Sequence, residues 1–310
     1  MWQPTASVKF LQLRAQLLTD IRRFFAERKV LEVETPLLCQ HTITASFIDS
    51  FHVDERFLQT SPEYAMKRLL AAGSGAIYQI CKAFRQSDVS KKHNPEFTLL
   101  EWYRPGFNHH ELMADLDELL QQVAHTKPAH KIAYQQLFED HLNMNPHTAT
   151  TEHLAEIARQ QNILIAADAH FTATTWLELL FTHCIEPTLG FTAPTFIYDF
   201  PAAQAALAKI RHDRYPVAER FEVYIRGVEL ANGFHELTDA NEQYRRFQQD
   251  NAQRKGLGKP EMTIDSYFIA ALNAGLPNCA GVALGIDRLL MLLADTSKIS
   301  DVIAFNWHNS

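Results

Sequence analysis

Cysteine is scarce in this 310-residue sequence, and the four present, Cys39, Cys81, Cys184 and Cys279, lie far apart without CxxC or zinc-ligand spacing. That pattern excludes a disulfide framework as the organising device and fits reduced thiols of a cytoplasmic protein. Long apolar runs are missing as well: none approaches the roughly 18 residues of a membrane helix. The first residues, MWQPTASVKF, show no basic patch followed by an apolar segment, so neither export nor membrane insertion is expected. Basic excess is also absent. A formal net charge of -7 argues against a nucleic-acid backbone as the main partner, while it leaves room for a local basic pocket and suits a basic protein partner. What the chain does have is apolar material, 46% of its residues, enough for one large catalytic core with an inserted or appended region.

The spacing of Leu13, Leu17, Ile21 and Phe24 predicts a helix over 8–29, with Arg14, Asp20, Arg22 and Arg23 on its polar face. VLEVET, residues 30–35, alternates as a short strand closed by Pro36. TSPEYAMKRLLAAG reads as a turn and a helix, with Pro62 in the first turn and Glu63 favouring the amino end. Strands are expected at 77–85 and 97–103. In the second, Phe97, Leu99, Glu101 and Tyr103 share a face that reads as a partly polar surface. Helices follow at 111–123, 151–160 and 175–185, the last opened by a Thr175–Glu178 capping box. Residues 125–215 are assigned to support and insertion, with a return strand at 196–200.

FEVYIRGVELANG, residues 221–233, predicts a hairpin turning at Arg226 and Gly227, with Tyr224 opposite Glu229 and Glu222 opposite Ala231. That register sets Glu222 and Glu229 together on a solvent or ligand side, with Glu236 just beyond. QRKGLGKP reads as a flexible polar connector before a helix over 264–274. Residues 281–286 read as a small-residue strand entering a helix whose first turn carries Asp287 and Arg288. Gly285 permits close backbone approach there.

The most informative stretch is FRQSDVSKKHNPEFTLLEWY, residues 84–103. Two antiparallel strands joined by a basic loop suit a nucleotide clamp. Arginines and carboxylates together fit attack by a substrate carboxylate on the alpha phosphate of ATP. Arg85 would neutralise charge on the transferring group and Arg288 would hold another part of the triphosphate. Glu222 and Glu229 would carry Mg²⁺, an oxygen-seeking ion. Phe97 would stack on adenine, with His93 or Asn94 fixing the turn or touching the nucleotide. Activation needs no general base, since a carboxylic acid is already ionised near neutrality. These assignments require Arg85, Phe97, Glu229 and Arg288 to converge on one nucleotide.

These motifs, in this order, resemble the class II aminoacyl-tRNA synthetases, specifically the catalytic core of lysyl-tRNA synthetase and its stand-alone paralogues. VLEVETPLL is similar to motif 1, FRQSDVSKKHNPEFTLLEWY to motif 2, and GVALGIDRLLML, residues 281–292, to motif 3. TSPEYAMKRLL and RFEVYIRGVELANGFHELTDA resemble the amino-acid pocket segments, so the likeness covers nearly the whole chain. It departs from the pattern in motif 2: Gln86 and Ser87 stand where FRNE is usual, and Ser87 cannot supply the missing carboxylate.

The resemblance implies an α+β class II fold, an antiparallel sheet flanked by helices, in a single catalytic domain, and a homodimer organised partly by motif 1. It implies ATP contacts at Arg85, Gln86, Ser87, His93, Asn94, Phe97, Glu229, Leu230, Gly285 and Arg288, with Arg85 and Arg288 catalytic. Magnesium falls to Glu222 and Glu229. Ser61, Pro62, Glu63, Tyr103, Asn232, Glu236 and Ala283 would surround a lysine-like substrate, with Glu236 and Tyr103 receiving an ammonium group. Ser61 stands where alanine is usual and Ala283 where glycine is usual, which would reshape the pocket toward a beta-amino acid. The synthetase's N-terminal OB domain has no counterpart before the first helix, so stable tRNA binding is not expected. The implied reaction activates (R)-beta-lysine with ATP and Mg²⁺ and transfers it to a lysine ε-amine of elongation factor P in the cytoplasm. The other readings are a truncated lysyl-tRNA synthetase-like enzyme for alpha-lysine and a catalytically silent regulatory paralogue.

Overall fold

Ser7 opens the first helix by accepting a hydrogen bond from Phe10 N, and the apolar stripe Leu17, Ile21, Phe24 and Phe25 is buried along it. The computed structural model describes residues 2–164 and 171–310. The chain runs α1 (Val8–Glu27), β1 (Leu31–Glu32), β2 (Leu38–Cys39), β3 (His52–Val53), β4 (Arg56–Leu58), α2 (Glu63–Ala71), β5 (Ile77–Phe84) and β6 (Glu96–Pro105). Next come α3 (His109–Ala124), β7 (His130–Ala133), α4 (Tyr134–Leu142), α5 (Thr151–Gln160) and α6 (Ala173–Leu180). They are followed by β8 (Thr195–Pro201), β9 (Ile210–His212), β10 (Pro216–Ile225) and β11 (Val228–His235). The last elements are α7 (Ala240–Gly256), α8 (Ser266–Gly275), β12 (Cys279–Gly285) and α9 (Ile286–Leu293).

These elements form two compact units. One is built from the chain up to Asn108 together with Glu236–Ser310, the other from His109–His235. In the first unit β5 and β6 are antiparallel from Ile77↔Tyr103 to Phe84↔Glu96. Strand β12 joins the other edge of β6 from Cys279↔Pro105 to Gly285↔Leu99, and β1 lies parallel to β5. A small second sheet has the order β2-β4-β3. The strand expected over 30–35 is shorter than its alternation predicts: the ladder with β5 covers Leu31 and Glu32 only. The face of β6 that reads as partly polar surface is sealed, with Glu101 and Tyr103 each 2% exposed.

Half of the connector expected at QRKGLGKP is helix. Its first four residues end α7, a seventeen-residue helix with too few apolar positions to show a stripe. Arg254, 2% exposed, holds the end of α7 through Pro260 O at 2.8 Å, Ala45 O at 3.0 Å and Asp49 Oδ1 at 3.2 Å.

In the second unit β10 pairs antiparallel with β11, β8 and β9, and β7 lies parallel to β8. Tyr134, Phe138, Phe181 and Phe200 pack in its apolar core. The helix expected over 175–185 starts earlier: Thr172, not Thr175, is the cap, accepting from Thr175 N at 3.2 Å. After Leu180 the helix widens into a π turn over Phe181–Ile185. The hairpin turns where expected. Arg226 (φ 50°) and Gly227 (φ 64°) are both left-handed, the requirement of a two-residue turn that matches strand twist. Tyr224 faces Glu229, but a bulge follows, so Glu222 lies opposite Asn232 rather than Ala231.

Candidate functional site

A buried acidic cluster forms in the first unit around one lysine. Pro62 caps α2, and Ser61 just before it accepts from Glu63 N at 3.1 Å while donating to Glu101 Oε2 at 2.7 Å. One turn of α2 separates Glu63 from Lys67, so Lys67 Nζ reaches Glu63 Oε1 at 2.7 Å. The same ammonium meets Glu236 Oε2 at 2.5 Å. The period of β6 puts Glu101 and Tyr103 on one face, where Tyr103 donates to Glu101 Oε1 at 2.7 Å. Across the ladder Gly281 lies opposite Tyr103 and Ala283 opposite Glu101. A Cβ at Gly281 would overlap the Tyr103 ring and stand 2.7 Å from Glu236 Oε1, so only glycine lets these side chains share the space.

Three carboxylates against one ammonium leave the cluster with an excess of acidic groups. Burial, then the Glu63 charge, pushes the Glu101 carboxyl up to about 7. Burial raises Glu236 to about 8 despite the attraction of Lys67. Lys67 moves upward as well: burial opposes its charge, but Glu236 and Glu63 more than compensate. Lys67 thus stays charged, and the carboxylates together keep a proton toward neutral pH. A ligand bringing further positive charge would release that proton and occupy its place.

The expected phosphate-side residues of this unit lie at the open ends of β5 and β6 and at the start of α9. The Arg85 guanidinium sits over the Phe97 ring, 5.2 Å from its centroid. Arg288 Nη2 and His93 Nε2 are 2.5 Å apart, and His93 Nδ1 is 2.8 Å from Ser90 Oγ. Asn94 ties the loop down, donating to Glu96 O at 2.7 Å and accepting from Trp307 N at 2.9 Å. Gln86 N donates to Asp49 O at 2.8 Å, and Ser87 adopts a left-handed φ of 70°. Gly285 is the cap residue of α9.

In the second unit Glu222 is buried, not solvated, and is held by Arg220 and by Tyr224, whose hydroxyl donates at 2.6 Å. Burial raises its pKa, Arg220 opposes that, and the Glu229 charge adds to it. Asn232 Oδ1 accepts from Arg220 Nε at 3.2 Å, and Leu230 is buried beside the half-buried Glu229.

Glu63, Tyr103, Glu236 and Ser61 therefore fall in one cluster, as expected, but with different partners: Tyr103 bonds Glu101, and Glu236 bonds Lys67. Four contributors escaped the sequence reading. Lys67 carried a signal, its position four residues after Glu63. Glu101, Gly281 and Asp287 did not, because their roles depend on distant strands. Asp287 accepts from Thr98 N at 2.7 Å and pairs with Arg14, fixing the start of the helix that bears Arg288.

Comparison with known proteins places this arrangement. A family model described as tRNA synthetases class II (D, K and N) matches residues 3–309. The chain belongs to this family. The class II assignment accords with the mostly antiparallel strand pairing and flanking helices of the structure. Among its relatives is the elongation factor P--(R)-beta-lysine ligase of Salmonella arizonae, 51% identical over 98% of this chain and 97% of the relative. Relatives of the same name from Salmonella paratyphi A and Salmonella dublin show the same identity and coverage.

Proposed function

We propose that this class II synthetase is an ATP-dependent amino acid–protein lysine ligase that forms AMP. It activates (R)-beta-lysine: a carboxylate oxygen attacks the alpha phosphorus of ATP, pyrophosphate leaves, and an acyl adenylate results. The neutral ε-amine of a lysine on elongation factor P then attacks the acyl carbon, AMP leaves, and the amine loses a proton. Both compact units serve this one catalytic function, in a cytoplasmic homodimer. The four free thiols accord with a reducing compartment, and no helix of the described residues is long and apolar enough to cross a membrane.

The observation that carries the reading is the charge of the acidic cluster. Glu63, Glu101 and Glu236 set against Lys67 leave two formal negative charges when all are ionised, and a diamino acid brings two ammonium groups. Tyr103 and Ser61 orient Glu101, and Lys67 orients Glu63 and Glu236. Ala283, opposite Glu101, shapes the pocket wall, and Pro62 fixes the start of α2. Asn232 adds a polar amide to the substrate set. The names of the relatives select beta-lysine among diamino acids and elongation factor P as the acceptor.

Arg85 and Arg288 neutralise the phosphates in the transition state, and Phe97 offers its ring to adenine beside the Arg85 guanidinium. Gln86, Ser87, His93, Asn94, Leu230 and Gly285 frame the nucleotide. Glu222 and Glu229 suit Mg²⁺, being hard oxygen donors on adjacent strands whose mutual repulsion a dication would relieve. When bound, Mg²⁺ supplies electrostatic neutralisation of phosphate oxygens.

Amino-acid-dependent exchange of labelled pyrophosphate into ATP tests the assignment. Exchange driven by (R)-beta-lysine well above alpha-lysine supports it. Strong preference for alpha-lysine, or no exchange with either, overturns it.

A further inference from the structure

The second unit contains a histidine-carboxylate cluster that the ligase reaction does not use. Three elements converge on it. His109 starts α3, Glu219 lies on β10, and His235 ends β11. All three are buried, and one donor atom from each lies within 4.8 Å of the other two. The β10–β11 ladder sets Glu219 beside His235, and His235 Nδ1 is 2.5 Å from Glu219 Oε2. His109 is 2% exposed, and its buried Nδ1 makes no hydrogen bond. A buried ring nitrogen in that condition is costly unless something else engages it.

Asp199, on β8, stands 3.3 Å from His109 Nε2. A carboxylate behind a histidine is the usual means of orienting a metal-binding imidazole, and it leaves Nδ1 as the donor for an ion. Arg211 closes the cluster, donating to Asp199 Oδ1 at 3.2 Å and Oδ2 at 2.6 Å and to Glu219 Oε1 at 3.3 Å, and pairing with Asp213 at 2.6 Å. With neutral histidines the formal charge is three carboxylates against one guanidinium, a surplus of two negative charges. A divalent cation balances it.

We propose that His109, Glu219 and His235 form a binding site for a divalent transition metal of the zinc class, with Asp199 orienting His109. Two imidazoles and one carboxylate are borderline donors that suit Zn²⁺ and Co²⁺ and leave one position for water. Ligands about 2.0–2.2 Å from zinc stand roughly 3.4 Å apart in a tetrahedron, so modest side-chain rotation closes the present spacing. Such an ion ties the start of α3 to β10 and β11.

The test is independent of ligase activity. The full chain, stripped with chelator, is titrated with Zn²⁺ against a competing indicator, and Co²⁺ is added to follow its visible absorption. The expected result is one saturable Zn²⁺ per chain, tetrahedral Co²⁺ bands, and a thermal midpoint that rises with the metal. Glu219→Gln and His235→Gln, each checked for native far-UV circular dichroism, lose more than about 100-fold in affinity, and Asp199→Asn loses about 10–100-fold. His109→Gln gives a second reading on the α3 ligand. Absence of saturable binding overturns the site, as does equal affinity and stoichiometry in the wild type and the folded ligand variants.

Discussion

Lys67 Nζ and Glu236 Oε2 lie 2.5 Å apart with both side chains 1% exposed, one supplied by α2 and the other by the segment that re-enters the first unit. A pair so buried adds little net stability compared with apolar residues, but removing one member strands the other. Its place between Glu63 and Glu236 makes Lys67 the internal counter-ion of the buried carboxylate cluster.

Lys67→Met is therefore expected to lower unfolding stability by about 3–5 kcal/mol. Urea unfolding measures this. The double variant Lys67→Met with Glu236→Gln recovers part of the loss, because the stranded carboxylate is gone.

The cluster also predicts a pH dependence. The folded chain keeps a carboxyl proton that an unfolded glutamate releases near 4.5, with Glu101 raised to about 7 and Glu236 to about 8. Between these limits the folded state binds more protons than the unfolded state. Stability contributed by this proton is present below 4.5 and is lost as pH rises through about 8. Denaturation across that window should show a downward slope that flattens in Glu236→Gln. Amino-acid affinity should move the opposite way, tightening with pH as the carboxylates ionise for the incoming ammonium groups.

Gly281→Ala brings a methyl group into the Tyr103 ring and against Glu236. The expected cost is about 1–3 kcal/mol of stability from overpacking, together with a raised KM for the amino acid and a smaller change in KM for ATP. Steady-state exchange kinetics separate the two.

Asp287→Ala removes the acceptor of Thr98 N and the partner of Arg14. Loss of about 3–5 kcal/mol follows from the unpaired groups left behind. Asp287→Asn, which keeps one acceptor, should fold and show a higher KM for ATP through misplacement of the helix start that carries Arg288.

Much of this was legible along the chain. Leu17, Ile21 and Phe24 announced α1, and the Arg226–Gly227 turn announced the hairpin, because both rest on local periodicity and backbone preference. The bulge after Tyr224 was not legible: it adds a residue without a local signature and changes the neighbour of Glu222 from Ala231 to Asn232. Helix α7 escaped because its buried positions include Gln243 and Arg254, which tertiary hydrogen bonds rather than apolar pattern bring inside. Glu101 read as a surface residue for the same reason; it lies between β5 and β12, and its buried carboxylate accepts a hydrogen bond from Ser61, forty residues earlier in the chain. Glu63 and Glu236 do lie together, as neighbours of one ammonium; the spacing of Lys67 from Glu63 was legible, whereas its contact with Glu236 arises only when α2 meets the segment after β11 in sequence.

Intact-mass measurement of elongation factor P after incubation with this chain, ATP, Mg²⁺ and (R)-beta-lysine tests the central claim most directly. The account predicts a mass increase of one beta-lysyl group on a single lysine, dependent on ATP and abolished by Arg288→Ala. An unmodified acceptor in the presence of efficient adenylate formation, or equal modification with alpha-lysine, would contradict it.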